Sequence, residues 1–268
     1  MVFFKKDVSK IMNVFKQLIT SIYSPKKISR FRFQGIGKTI LFVFLLSLVS
    51  TIPTAYHFSS SLIQGINSFK VTLDNELPDF KISNGELTVD SDGPVEIRSG
   101  EFIIILDDTG SFGVEEIEAK TNAIGLLENQ FVIAAEGQVQ STEYSMLNMT
   151  ITKEELVDLT DQMDNLLPLI ISILVLVMYL FGAFIKFIEI TVLALFGLGI
   201  KNSLQKKINF KQTWIISAYS TTLATIFFVI MDSLQTVVPS GFLITWFVHI
   251  IVLYLAIKEI PTTKNKQS

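Results

Sequence analysis

No cysteine occurs among the 268 residues, which excludes disulfides, thiol catalysis and cysteine-ligated zinc. Other signatures are present only in part. The run "FIIILDDTGSFG" (102 to 113) contains the Asp-Thr-Gly that presents the carboxylate of an aspartic protease. A pepsin-type site needs two such loops, because close carboxylates share one proton, and the chain has one. A homodimer of the retroviral type would supply the second, but its hydrophobic-hydrophobic-Gly support lies well downstream, and "AIG" (123 to 125) is too near. Asp107, Asp108 and Ser111 are therefore read as a turn closing a buried strand, with side-chain oxygens binding local backbone N–H groups. "GIGKT" (35 to 39) fails as a phosphate loop, since the position that needs a first glycine is Arg32 and the segment enters an apolar helix. Internal repeats of the transporter kind and the Glu-Ala-Ala loop of sugar-importer permeases are also missing. No catalytic, cofactor-binding or metal-binding set emerges, and no nucleic-acid partner is expected.

What the chain has is apolar length. Hydrophobic residues make up 49%, with 22 Phe and a mean hydropathy of +0.49, more than a soluble domain of this size carries. They fall in blocks at 39 to 58, 166 to 200, 213 to 231 and 242 to 257. A bilayer core takes about 20 apolar residues of helix. The first and third blocks fit, the fourth is slightly short, and the second is too long for one upright pass.

Charge supplies the orientation. Residues 1 to 38 carry nine Lys or Arg against one Asp, and the loop 201 to 212 carries Lys201, Lys206, Lys207 and Lys211 with no acid. Residues 59 to 165 hold 5 basic and 21 acidic residues, which the overall −3 conceals. Positive-inside placement puts 1 to 38, the 201 to 212 loop and the tail 261 to 268 in the cytoplasm, and 59 to 165 outside. The first transmembrane helix is then 39 to 58 and the main membrane domain 166 to 260. Block two crosses once, either strongly tilted or followed by a re-entrant piece; a two-crossing split would make five helices and leave four lysines outside. The first block follows some 38 residues and precedes no small-x-small site, so it is expected to stay as an anchor. An outer domain without disulfides points to a bacterial cell membrane, which makes the Asn148 sequon a chance match.

The basic N-terminal segment has Val8, Ile11, Met12, Phe15, Leu18, Ile19 and Ile22 at helical spacing. Two placements remain open: apolar side down in the inner headgroup layer, or packed on the protein's own helices. Ser24 and Pro25 then start a second short helix. Candidate lipid-headgroup contacts are Lys10, Lys16, Lys26, Lys27, Arg30, Arg32 and Lys38.

The run "FKQLITSIYSPKKISRFRFQGIGKTILFVFLLSLVSTIPT", followed by "LPDFKISNGELTV" and "IIILDDTG", resembles a family of uncharacterised bacterial membrane proteins, some labelled maltodextrin utilisation protein. The resemblance implies a polytopic membrane protein with maltodextrin-linked genes in some cases, and carries no assigned site residues. "KKINFKQTWIISAYSTTLATI" looks like the loop-helix pattern of Yip-family membrane domains.

The outer segment reads as α+β. Leu62, Ile66, Phe69 and Leu73 continue the first span as an amphipathic helix, and "FKISNGELTV" is a hairpin with Asn84-Gly85 in a type I′ turn. "PVEI", "EFIIIL", "NAIGLL", "QFVIAA" and "EYSML" are further strands of one small sheet, and a Thr152–Glu155 capping box opens the helix into block two. The fold class is thus an integral membrane α-helical protein with about four transmembrane helices, five being the alternative, and an inserted extracytoplasmic α+β domain. Lys186, Glu189 and His249 form the candidate intramembrane polar site, because ionisable groups in lipid are costly. The bland alternative has Lys186 snorkelling with Glu189 as partner and His249 bonded to Tyr219 or Ser217. The expected function is a non-enzymatic sensor or accessory, linked to oligosaccharide uptake and partnered by the bilayer and by importer membrane subunits. A small transporter or channel is the competitor.

The cysteine-free background makes topology testable. Single cysteines at Ser91, Ser203 and Ser268 should react with an impermeant maleimide on intact cells only at Ser91; labelling at Ser203 from outside would require five crossings.

Overall fold

The computed structural model describes residues 13–135, 137–146 and 150–261. In chain order the elements are α1 (Val14–Tyr23), α2 (Pro25–Phe31), α3 (Ile36–Asn75), β1 (Phe80–Ser83), β2 (Glu86–Val89), β3 (Val95–Ser99) and β4 (Phe102–Asp107). Then come α4 (Val114–Glu118), β5 (Asn122–Leu127), β6 (Gln130–Ala135), β7 (Gln138–Glu143), β8 (Ile151–Thr152) and α5 (Lys153–Ser203). The chain ends in α6 (Phe210–Ser220), α7 (Thr222–Ser233) and α8 (Gly241–Lys258). Contacts divide it into two units: one takes the chain up to Tyr56 and from Ile173 onward, and the other is His57–Ser172.

Four helical stretches among the described residues are long and apolar enough to cross a membrane: Ile36–Asn75, Lys153–Ser203, Phe210–Ser233 and Gly241–Lys258. The block at 166 to 200 lies wholly within α5, which runs unbroken for 51 residues. No turn separates a re-entrant piece or a fifth helix there. At about 1.5 Å per residue, α5 has length enough for both the apolar block and the polar stretch before it.

The helical unit distributes polarity in reverse. Thr213, Ser217, Ser220, Thr221 and Thr222 have no exposed surface, whereas Phe181 and Phe247 are each 66% exposed and Phe242 73%. Most of these buried hydroxyls are satisfied locally, Ser217 excepted: Thr213, Ser220 and Thr225 donate to the carbonyls four residues back, and Thr221 and Thr222 to those three back. A contiguous exposed apolar surface of this kind is stable only against an apolar surrounding. Apolar packing still supplies the interior, with Ile28, Phe42, Leu46, Leu193, Ile215, Leu253 and Ile257 in one cluster. α6 begins with reciprocal bonds, Gln212 N–H to Asn209 Oδ1 at 2.9 Å and Asn209 N–H to Gln212 Oε1 at 3.1 Å. They satisfy two amide donors that a helix start leaves open.

α1 follows the same reversal. Its buried residues are Gln17, Thr20 and Ser21, while Phe15, Ile19 and Tyr23 are exposed. Of the placements foreseen for this segment, packing on the protein's own helices is the one seen for Val14–Tyr23: it packs on α2, α6 and α7, but through its polar face, leaving the apolar face outward. Val8, Ile11, Met12 and Lys10 lie outside the described residues.

The His57–Ser172 unit holds two sheets rather than one. β1 pairs antiparallel with β2 and β8, and Asn84 (φ 56°) and Gly85 (φ 87°) supply the two positive angles of the hairpin turn. The second sheet has the order β3-β4-β5-β6-β7, antiparallel except for β4 beside β5. That parallel pair needs a crossover, which the short α4 provides. One of the expected strands differs: "EYSML" is not one, since β7 ends at Glu143 and Tyr144–Met146 form a 3-10 turn. The continuous run in β4 is explained by burial on both faces. Ile104 and Leu106 enter a core with Leu73, Leu87 and Tyr144, and Ile105 enters another with Ile117, Leu127 and Val132. The capping box of α5 forms as expected, with Thr152 N–H on Glu155 Oε2 at 2.9 Å and Glu155 N–H on Thr152 Oγ1 at 3.2 Å.

Close helix packing rests on Gly197. A Cβ there would lie 2.5 Å from the Thr213 methyl and 3.2 Å from Leu253, and both neighbours are fully buried. Gly197→Ala should destabilise the protein by about 1–3 kcal/mol in thermal unfolding of the purified chain. Gly199→Ala, where a Cβ meets nothing within 4 Å, should be neutral or stabilising.

Candidate functional site

Lys186 and Glu189 stand three residues apart on α5, which places them on one helical face, and their side chains meet at 2.8 Å, Nζ to Oε2. α8 brings His249 to the other carboxylate oxygen, Nδ1 to Oε1 at 2.9 Å. The distance is that of an ion pair, but the two atoms are not aligned as a hydrogen bond, and neither has another partner. α7 closes the arrangement: Lys186 Nζ donates to Thr225 Oγ1 at 3.3 Å, Thr225 Oγ1 donates to the Thr221 carbonyl at 2.9 Å, and His249 Nε2 lies 3.2 Å from that same carbonyl. Lys186, Thr225, Thr221, His249 and Glu189 thus form a closed polar ring across α5, α7 and α8. His249 is fully buried, and Lys186 and Glu189 keep 14% of their side-chain surface.

Three members of the ring, Lys186, Glu189 and Thr225, line a cleft of about 390 Å³. Ile185, Ile188, Val192, Phe228, Val229, Phe242 and Trp246 form its apolar walls, and Ser50, Lys186, Glu189, Thr225, Asp232 and Thr245 its polar ones. A small number of polar groups set into apolar walls is the general make-up of a small-molecule site. The ring can do two things chemically: present opposite charges to a ligand, and hold or release a proton at the carboxylate–imidazole contact.

A model of the family described as "Protein of unknown function (DUF1189)" matches residues 15–257. The chain belongs to the DUF1189 family. No curated protein and no solved structure matches it significantly. The family is an uncharacterised one, so this DUF1189 chain must be interpreted from its own geometry.

His249 does not bond Tyr219 or Ser217, as the sequence suggested; it bonds the Thr221 carbonyl and faces Glu189. Tyr219 serves a second network that the sequence reading missed. Its hydroxyl donates to Gln17 Oε1 at 2.9 Å and accepts from Gln34 Nε2, while Gln17 Nε2 donates to Gln34 Oε1 at 2.7 Å. Gln17, Thr20 and Ser21 recur at helical spacing, which was the available signal. Of the headgroup candidates, Lys16, Lys26 and Arg30 are exposed. Lys27 lies 5.7 Å from the Tyr23 ring, and Arg32 lies 4.1 Å from the Phe33 ring and donates to the Ser29 carbonyl. Lys38 is half-buried.

The Asp-Thr-Gly turn uses both carboxylates on backbone. Asp107 accepts from Thr109 N–H at 2.9 Å, Thr109 Oγ1 at 2.6 Å and Phe112 N–H at 2.6 Å, and Asp108 accepts from Val89 N–H at 2.8 Å. Burial pushes the Asp107 carboxyl up, but these bonds outweigh it and hold the group below the usual carboxylate range. A depressed folded value means stabilisation that is complete above the unfolded value, about pH 4, and lost as pH falls through the folded one. Asp107→Asn should therefore destabilise the protein by about 2 kcal/mol at neutral pH, with the gap to wild type closing in acid, as urea unfolding at several pH values would show.

Proposed function

We propose that this chain is a non-enzymatic, multi-pass membrane protein that binds and passes a small charged solute at the Lys186–Glu189–His249 cleft. The observation that carries the reading is the closed ring itself: three ionisable groups, from helices about 60 residues apart in sequence, meet beside an apolar-walled cavity. Ionisable groups on apolar helices of this kind, paired beside a cavity, are the usual mark of a solute or ion pathway when such helices span a membrane. The reversed polarity of the helical unit and the four apolar helices support insertion in a membrane. The charge pattern supports cytoplasmic termini with residues 59 to 165 outside.

A different observation favours a second reading, that of a sensor or accessory in oligosaccharide uptake. The His57–Ser172 unit has its own cleft of about 620 Å³, lined by Phe58, Phe69 and Phe102 together with Gln64, Ser68, Ser99 and Glu101. Aromatic faces beside hydrogen-bonding groups suit a sugar ring. This is the form in which the maltodextrin link suggested by the family resemblance would apply.

Proteoliposomes separate the two. Wild-type protein should accumulate at least one member of a panel of labelled amino acids, monovalent cations and maltooligosaccharides, and Glu189→Gln should reduce that uptake at least tenfold at equal protein content. If wild-type liposomes accumulate none of the panel, and a deletion strain loses growth on maltodextrins but not on glucose, the accessory reading replaces the first.

A further inference from the structure

We propose that Glu189 and His249 hold one proton between them, so that the polar ring is a proton-binding site that sets the charge of the cleft. The inference deepens the solute-binding reading by naming the ion coupled to it, and rests on that reading only for the link to flux.

The Thr221 carbonyl oxygen accepts from Thr225 N–H at 3.1 Å and from the Thr225 hydroxyl at 2.9 Å, with His249 Nε2 at 3.2 Å. A carbonyl oxygen has no proton to give, so Nε2 must carry one. In a neutral ring Nδ1 is then a bare lone pair. It lies 2.9 Å from Glu189 Oε1, which in an ionised carboxylate is also a lone pair, and neither atom has another hydrogen-bond partner. Two lone pairs at that separation repel. A proton on Nδ1 makes the contact an imidazolium–carboxylate pair, and a proton on Oε1 makes it an acid–imidazole pair.

The surroundings choose between the two forms. On α5, Lys186 sits 2.8 Å from the other carboxylate oxygen and favours ionised Glu189, which places the proton on the ring. α7 contributes Asp232 to the same cleft, and α3 contributes uncharged Ser50 there. α6, packed on α8, carries Tyr219, whose hydroxyl is bound to Gln17. α2, also packed on α8, carries the exposed Lys26 and Arg30 and the half-buried Lys27. Losing the proton turns the attraction between α5 and α8 at this point into repulsion. Trp246, whose ring centre is 6.5 Å from that of His249, lines the cleft as well, so the change is felt at its wall.

The chain has two histidines, His57 and His249, so His57→Gln leaves a single ring to observe. Full-length protein with 15N-labelled histidine, in lipid nanodiscs, is followed by NMR across a pH series. The expected result is a ring protonated at Nε2 throughout, which gains and loses a proton at the Nδ1–Glu189 contact. Glu189→Gln should lower its proton affinity at least tenfold, and Lys186→Met should raise it. A ring carrying its proton on Nδ1 alone overturns the proposal, and this observation needs no change to the polar ring. A midpoint unmoved by both substitutions overturns it too. A ring that titrates as expected in a protein without flux removes the transport reading and keeps the proton site; flux with the wrong tautomer does the reverse.

Discussion

Tyr219 has no exposed surface, and the hydrogen-bonding needs of its hydroxyl connect the parts of the helical unit. Gln17 reaches it from α1 and Gln34 from the turn between α2 and α3, and the two amides also bond each other. A buried polar group without a partner is costly, and more so where no water can substitute. Each member therefore fixes the others. The ring of Tyr219 adds packing, with Phe42 and Phe31 centred 4.2 Å and 4.6 Å away. Such a network specifies one arrangement of helices where apolar contacts alone, being non-directional, would accept several.

The same constraint governs the Lys186–Glu189–His249 ring, with a different consequence. Amides and a phenol bond each other with no change of protonation state. A carboxylate, an imidazole and an ammonium satisfy each other only in certain protonation states. One polar cluster is thus a fixed joint, and the other is an element whose charge can change.

The His57–Ser172 unit solves its polar problem by turns. Asp107 and Asp108 stop β4 by accepting backbone N–H groups, one within the turn and one from Val89 at the end of β2. The second bond links the edge strand of the hairpin sheet to the end of β4 in the other sheet. An acidic pair that looks like a protease loop is here tied to backbone on both carboxylates.

Much of this was legible in the residues. Four apolar blocks, the Asn84-Gly85 hairpin, the Thr152–Glu155 cap and most strands follow from local periodicity and turn chemistry, which act over a few positions. Lys186 and Glu189 share a helix face by spacing alone. What local pattern could not decide were the relations between distant segments: the split into two sheets, the parallel β4–β5 pair, the polar face by which α1 packs, and the meeting of Glu189 with His249. A side chain's needs are readable from its type, but the partner that meets them is chosen by packing. Gln17 wanted hydrogen bonds whatever the fold, and only the tertiary structure, through the close approach of α1 and α6, made Tyr219 the group that supplies one.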